Sequence, residues 1–234
     1  MRYVLEVLRR KHADDRPYWQ SFVYETDSEQ ATVASALREL NERDELLDAD
    51  GAAAEPIRWD ISCLQKKCGA CAMVIDGVPR MACDTRLATL RHQRVRLEPL
   101  RKFPVVADLL VDRSVLMQNL TEAGAWLDGD AVLADRRWSI AYEASRCLQC
   151  GLCLEVCPNF SVQGAFGGMA AMVPLARLLS EVPAEQRKRL ASTYRESVYG
   201  GCGKSLACRS VCPANIDIDK LLSRSNAAAV WHRW

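Results

Sequence analysis

Eleven cysteines in 234 residues, gathered into three tight groups, constrain this chain more than any other feature of its sequence. A disulfide framework favours an even count in a small secreted chain. Here the count is odd, and the opening MRYVLEVLRR is charged and lacks the apolar core of a signal peptide. The chain is therefore expected in the cytosol and its thiols are expected to bind metal, so their spacing decides what they hold.

The first group is Cys63, Cys68 and Cys71, spaced C-x4-C-x2-C, with Cys83 after eleven intervening residues. This is the plant-type [2Fe–2S] spacing. Two irons bridged by two sulfides take four thiolates. A loop carrying three of them must wrap the cluster with backbone N–H groups turned toward sulfur. Gly69, without a Cβ, lets the backbone pass close, and Cys83 arrives on a hairpin strand. Zinc usually takes two C-x2-C pairs, and only Cys68 and Cys71 form one. Inert core thiols are the remaining alternative, but Lys66, Lys67 and Gly69 are loop composition.

The second group, Cys147, Cys150, Cys153 and Cys157-Pro158, reads C-x2-C-x2-C-x3-C-P. In this bacterial ferredoxin run the fourth cysteine ligates the other cluster of a pair, so a second run must exist. It does: Cys202, Cys208 and Cys212-Pro213 read C-x5-C-x3-C-P. This third group repeats the second with one cysteine missing, and Ser205 stands in its place. Crossed ligation assigns Cys147, Cys150, Cys153 and Cys212 to a [4Fe–4S] cluster. It leaves Cys157, Cys202 and Cys208 for a [3Fe–4S] cluster whose corner facing Ser205 lacks an iron. The alternative that Ser205 supplies an oxygen ligand to a fourth iron stays open, although a hydroxyl suits a soft-metal site poorly. Seven cysteines without a nearby His do not divide into two four-thiolate zinc sites. All eleven cysteines are used.

The elements around these groups define an α+β fold class. Tyr3–Leu8 and Ser21–Thr26 read as paired strands. Val33, Ala36, Leu37 and Leu40 recur at helical spacing and predict an amphipathic helix over 32–41. Asp76-Gly77 between apolar runs predicts a hairpin, and Arg94–Leu97 a closing strand. Beyond Pro99, Val106, Leu109, Leu110, Met117 and Leu120 predict a helix. Further helices are expected around 143–146 and over 168–180, 184–194 and 215–229, with no strands. Glu98-Pro99 and Phe103-Pro104 break regular structure, which sets the boundary near 98–104. The expected architecture is an N-terminal β-grasp plant-type [2Fe–2S] ferredoxin domain, 1–100. An all-α bacterial-ferredoxin-like domain, 101–234, follows and binds [4Fe–4S] and [3Fe–4S].

Lys plus Arg is 31 and Asp plus Glu is 30, a net charge of +1. That balance leaves no basic surplus for nucleic acid. No stretch approaches the roughly 18–20 apolar residues of a membrane span.

The order of a plant-type [2Fe–2S] segment followed by the two paired runs resembles the iron–sulfur subunit of the succinate dehydrogenase/fumarate reductase family. RWDISCLQKKCGACAMVIDG, CLQCGLCLEVCPNF and GCGKSLACRSVCPANI carry the resemblance, which extends over nearly the whole chain. It implies the same cluster ligands as the spacing. It also implies an electron-transfer subunit without a catalytic residue of its own. Its partners would be an FAD-containing flavoprotein that interconverts succinate and fumarate, a membrane-anchor (cytochrome b-like) subunit, and a quinone near [3Fe–4S]. The relay would run from [2Fe–2S] through [4Fe–4S] to [3Fe–4S]. The implied place is the cytoplasmic face of the cell membrane, held peripherally by the anchor. Ubiquinone-type members of the family carry a Trp soon after the first CP and a His after the first cysteine of the last run. Here Ser161, Val162 and Gly203 occupy those places. The departure favours a low-potential menaquinone partner with fumarate reduction as the direction, and leaves another type of anchor open.

Two competing readings are an electron-transfer subunit of another flavoprotein or heterodisulfide-reductase-type complex, and a zinc-stabilised binding module. His12, His92 and His232 read as surface residues. Trp231 and Trp234 read as core or partner contacts. Lys66-Lys67 reads as a solvated loop or a meeting point for an acidic flavoprotein surface. GGCGK at 200–204 lacks the spacing of a nucleotide loop.

Overall fold

The computed structural model describes residues 1–131 and 138–231, so His232 and Trp234 lie outside the described residues. The chain separates into two compact units, Met1–Asp112 and Arg113–Trp234.

The first unit is built on a five-stranded sheet of order β2-β1-β5-β3-β4. Strand β1 (Arg2–Arg9) alternates in burial, with Tyr3, Leu5, Val7 and Arg9 facing inward. It pairs antiparallel with β2 (Tyr18–Glu25), Arg2 opposite Glu25 and Arg9 opposite Tyr18. On its other side it pairs parallel with β5 (Arg94–Glu98). Strand β5 then pairs antiparallel with β3 (Ala72–Ile75), which pairs with β4 (Val78–Met81). Asp76 (φ 48°) and Gly77 (φ 76°) join β3 to β4. Both lie in the left-handed region, as a two-residue type I′ hairpin requires. Asp76 also accepts from the Arg96 amide at 2.8 Å and so fixes the turn to β5.

Helix α1 (Val33–Asn41) opens on a reciprocal cap: Thr32 accepts from the Ser35 amide, and Ser35 accepts from the Thr32 amide. Its apolar stripe, Val33, Ala36, Leu37 and Leu40, is fully buried. Tyr24 donates to Glu39 at 2.8 Å and ties β2 to this helix.

The segment expected to be helical from Val106 is instead a short hairpin. Strands β6 (Val105–Ala107) and β7 (Leu110–Val111) flank a turn in which Asp108 is left-handed (φ 44°). A helix cannot pass through that conformation. Asp108 is 3% exposed, and its carboxylate is the anchor. It accepts from Arg9 Nε at 3.0 Å and from the amides of Arg10 and Arg58, each at 2.9 Å. Helix begins only at α2 (Ser114–Glu122).

Among its described residues the second unit is helical. α3 (Trp138–Ser145), α5 (Gly168–Glu181), α6 (Ala184–Tyr194) and α8 (Ile218–Ala229) meet the expectations for 143–146, 168–180, 184–194 and 215–229. α8 starts three residues later than expected, because Asp217 caps it by accepting from the Lys220 amide. α5 packs against α3, α6 and α8 and is buried along most of its length. α6 runs into one π turn, Arg195–Tyr199. Two single-turn helices, α4 (Leu152–Glu155) and α7 (Ala207–Ser210), lie inside the cysteine groups. Among the described residues no helix is long and apolar enough to cross a membrane.

Candidate iron–sulfur sites

In the first unit, the loop from Cys63 to Cys71 bends through three left-handed residues, Leu64 (φ 54°), Lys66 (φ 58°) and Gly69 (φ 81°). Those bends turn backbone amides inward. Cys63 Sγ accepts from Gln65 and Lys67 at 3.3 and 3.4 Å. Cys83 Sγ accepts from Lys66 at 3.3 Å, Cys68 from Ala70 at 3.5 Å, and Cys71 from Cys83 at 3.4 Å. Every sulfur of the set thus receives at least one N–H, the arrangement that stabilises bound thiolate. The Gln65 and Lys67 amides hold the Cys63 thiol down to about 7, while burial pushes Cys71 up to about 12. Cys68 is exposed and Cys71 buried, so one edge of the site meets solvent. Lys66 pairs with Asp84 at 2.6 Å and Lys67 is exposed. The pairing pins the loop to the turn that carries Cys83.

Two hollows of the second unit are lined by cysteines. One, of about 430 Å³ including open solvent, is lined by Cys147, Cys150, Cys153 and Cys212, with Met169, Val173 and Ile216 as apolar walls. The other, of about 360 Å³, is lined by Cys157, Cys202 and Cys208, together with Ser205. Cys212 therefore lies with the second cysteine group, and Cys157 with the third. The electrostatics divide the same way. Burial raises Cys150 to about 11, and Cys147 and Cys212 reinforce it. Burial also raises Cys208 to about 11, reinforced by Cys157 and Cys202. Cys153 is raised well above the ordinary thiol range, by burial first and then by Cys150, Cys147, Cys208 and Cys212. Thiols so placed ionise only beside a strong cationic centre, which ferric iron supplies. Among the described residues no three His, Cys, Asp or Glu side chains gather tightly enough for a single metal ion.

The two cysteine groups repeat in backbone as well as in spacing. Gln149 (φ 50°) corresponds to Lys204 (φ 57°), and Gly151 (φ 83°) to Leu206 (φ 57°). α4 follows Gly151 as α7 follows Leu206. Ser205 occupies the place of Cys150 in this repeat. Gln149, not among the residues expected at the sites, donates its side-chain amide to Cys147 Sγ at 3.3 Å. Its position inside C-L-Q-C was the one signal available. His12 and His92 are exposed, as expected. Trp231 is 54% exposed, so of its two readings the core one does not hold.

A loop of amide-bonded thiols in one unit and two cross-paired hollows in the next define the class: an iron–sulfur protein with a [2Fe–2S] ferredoxin domain followed by a dicluster ferredoxin domain. Residues 4–118 match the family described as 2Fe-2S iron-sulfur cluster binding domain, and residues 143–216 the 4Fe-4S dicluster domain. The succinate dehydrogenase iron-sulfur subunit of Bacillus subtilis is 35% identical over 94% of this chain and 89% of its own. The fumarate reductase iron-sulfur subunit of Mycobacterium tuberculosis is 30% identical over 99% of this chain and 94% of its own. A chain of the Mycobacterium smegmatis Sdh1 complex in the apo form shares the fold, with a TM-score of 0.76 at 22% identity over 96% of this chain and 95% of that one. The chain belongs to the succinate dehydrogenase/fumarate reductase iron–sulfur subunit family, and its role is electron transfer within an oxidoreductase. Its cofactors are [2Fe–2S] and [4Fe–4S], and a [3Fe–4S] cluster fits the family.

Proposed function

We propose that this chain carries electrons between an FAD-containing flavoprotein subunit, which interconverts succinate and fumarate, and a quinone at a cytochrome b-like membrane-anchor subunit. By this reading the chain is a non-catalytic subunit on the cytoplasmic face of the cell membrane. The quinone lies near the [3Fe–4S] site and is menaquinone. Gly203, Ser161 and Val162, standing where the ubiquinone branch carries its His and Trp, support that choice.

The ligands we propose are Cys63, Cys68, Cys71 and Cys83 for [2Fe–2S]. Cys147, Cys150, Cys153 and Cys212 hold [4Fe–4S], and Cys157, Cys202 and Cys208 hold [3Fe–4S]. The observation that carries this reading is the exchange of Cys157 and Cys212 between the two hollows. Such clusters, when bound, take up and release single electrons. The chain supplies thiolates, amide donors to sulfur, and walls that limit water. A β-grasp fold for residues 1–100 belongs to the same proposal, as does an all-α bacterial-ferredoxin-like fold for the part of 101–234 that follows the β6–β7 hairpin, from Arg113 onward. The mixed sheet with α1, and the helices of the second unit, support them.

The test is the purified complex, analysed for iron and acid-labile sulfide and by EPR when oxidised and when reduced with dithionite. The reading expects a near-isotropic signal on oxidation and further signals on reduction, with a flavoprotein co-purifying. Zinc without sulfide, or an intact complex without the oxidised signal, overturns it. Co-purification with a disulfide-reducing flavoprotein instead points to the heterodisulfide-type complex.

A further inference from the structure

Helix α5 contains a proline, Pro174, in its interior. In an α-helix each carbonyl meets the N–H four residues on, and proline has none. The carbonyl left without its helical donor is that of Ala170. Buried carbonyls of this kind are costly unless another donor reaches them. Here Gln149 reaches it: Nε2 donates to Ala170 O at 3.0 Å. The same Nε2 lies 3.3 Å from Cys147 Sγ. Both hydrogens of the amide nitrogen are thereby committed, one to a carbonyl and one to a sulfur.

This arrangement fixes which way the amide points. Reversed, the Gln149 oxygen would face two acceptors, so the two bonds select the observed orientation. The fold tolerates a cost for it. Gln149 Oε1 is buried and has no hydrogen-bond partner among the described residues, and Gln149 itself is left-handed (φ 50°). Strain and an orphaned oxygen at one residue beside a thiol point to a role for its side chain. At the matching place in the third cysteine group, Lys204 turns to the ring of Tyr199 at 5.8 Å.

We propose that Pro174, Ala170 and Gln149 form a fixed relay that aims one side-chain N–H at Cys147 sulfur and raises the reduction potential of the centre held there. The inference rests on the reading that Cys147, Cys150, Cys153 and Cys212 hold [4Fe–4S]. An N–H donor favours the electron-richer sulfur of the reduced cluster, so its loss favours the oxidised one. Gln149 is a positioning residue for potential and touches no substrate. Pro174 acts through it.

The experiment is EPR-monitored redox titration of the whole purified complex, wild type against Gln149→Leu, Pro174→Ala and the double variant. Gln149→Leu should lower the reduced-to-oxidised ratio of the [4Fe–4S] signal at fixed ambient potential by about threefold to tenfold, tenfold being 59 mV for one electron. Pro174→Ala restores a helical N–H that competes for Ala170 O, and should shift the ratio the same way by less. In the Gln149→Leu background Pro174→Ala should add nothing, while the [2Fe–2S] and [3Fe–4S] midpoints stay in place. An unshifted [4Fe–4S] midpoint in both single variants overturns the relay but not the ligand assignment. So does a full additional shift in the double variant. If the [3Fe–4S] midpoint moves instead, the ligand assignment falls. Should Gln149→Leu fail to assemble, Pro174→Ala, which changes no residue of the cysteine groups and favours helix, decides alone.

Discussion

Replacing Asp108 by alanine should detach the β6–β7 hairpin from the first unit. Asp108 and Arg9 form a buried pair, with side chains 4% and 5% exposed. Removing one partner of such a pair costs about 3–5 kcal/mol, because the other charge stays buried. Arg9 keeps the Gln20 side chain and the carbonyls of Glu55 and Pro56 as acceptors, which moderates the loss. Against that, two backbone amides lose their acceptor, and alanine fits the left-handed turn poorly, adding about 1 kcal/mol. The net is about 4 kcal/mol. Asp108→Asn separates charge from geometry. One amide oxygen can still serve Arg9 Nε and the Arg10 amide, which share Oδ1, but the Nδ2 group then faces the Arg58 N–H donor. Asparagine also tolerates the left-handed turn, so about half the loss is expected. The assay is the temperature at which half the [2Fe–2S] EPR signal is lost at a fixed heating rate. At about 3–5 °C per kcal/mol for a unit of this size, alanine should lower it by about 12–20 °C and asparagine by about half that. An alanine variant within about 2 °C of wild type would refute the anchoring role of this pair.

Ser205→Cys should complete the third group and convert its cluster to a four-iron form, seen as one more iron per chain and loss of the near-isotropic oxidised signal. Ser205→Ala should leave that signal unchanged, and iron loss from alanine would mean that the serine ligates. Cys157→Ser should abolish the three-iron signal and Cys212→Ser the four-iron signal, and the reverse pattern would break the crossed assignment. Glu6 is held below its ordinary 4.5, first by the hydrogen bond from Arg96 and also by Arg94. A carboxylate lowered on folding stabilises fully above its unfolded value and less as pH falls through the folded one. The stability gap between wild type and Glu6→Gln should therefore be constant from neutral pH down toward the ordinary 4.5 and narrow progressively as pH falls below it. Because both arginines are largely exposed, it should not exceed about 1 kcal/mol. Denaturant midpoints across that range check it, and a gap independent of pH counts against it.

The legible parts of this chain are those in which local spacing carries the chemistry. C-x4-C-x2-C, the Asp76-Gly77 turn and the apolar stripe of α1 each specify a conformation from a few neighbouring residues. The hairpin at 105–111 was not legible, since Val106, Leu109 and Leu110 fit by chance the helical period that Met117 and Leu120 continue in α2. What overrode them was Asp108, held by Arg9 and Arg58, partners far away in sequence. Gln149 escaped notice for the same reason. Its acceptor exists because Pro174 strips a donor from a carbonyl four residues back, and only the fold brings that carbonyl to the cysteine loop.

The two hollows of the second unit are bound together by their ligands. The single turn α4 places Cys153 in one hollow and leads to Cys157 in the other, and α7 does the same with Cys208 and Cys212. Neither turn is long enough to be stable alone, so each depends on what its two thiols hold at either end. On the proposed ligand assignment, cluster binding at one hollow should steady a helical turn that the other needs, so the two should load together rather than in sequence. The repeat is not symmetric in cost. Gly151 adopts its left-handed conformation freely, whereas Leu206 does so against its Cβ, at about 1 kcal/mol. The loop with Ser205 therefore carries both one thiol fewer and a strained residue. Of the two hollows it is the one whose backbone owes more of its shape to the cluster.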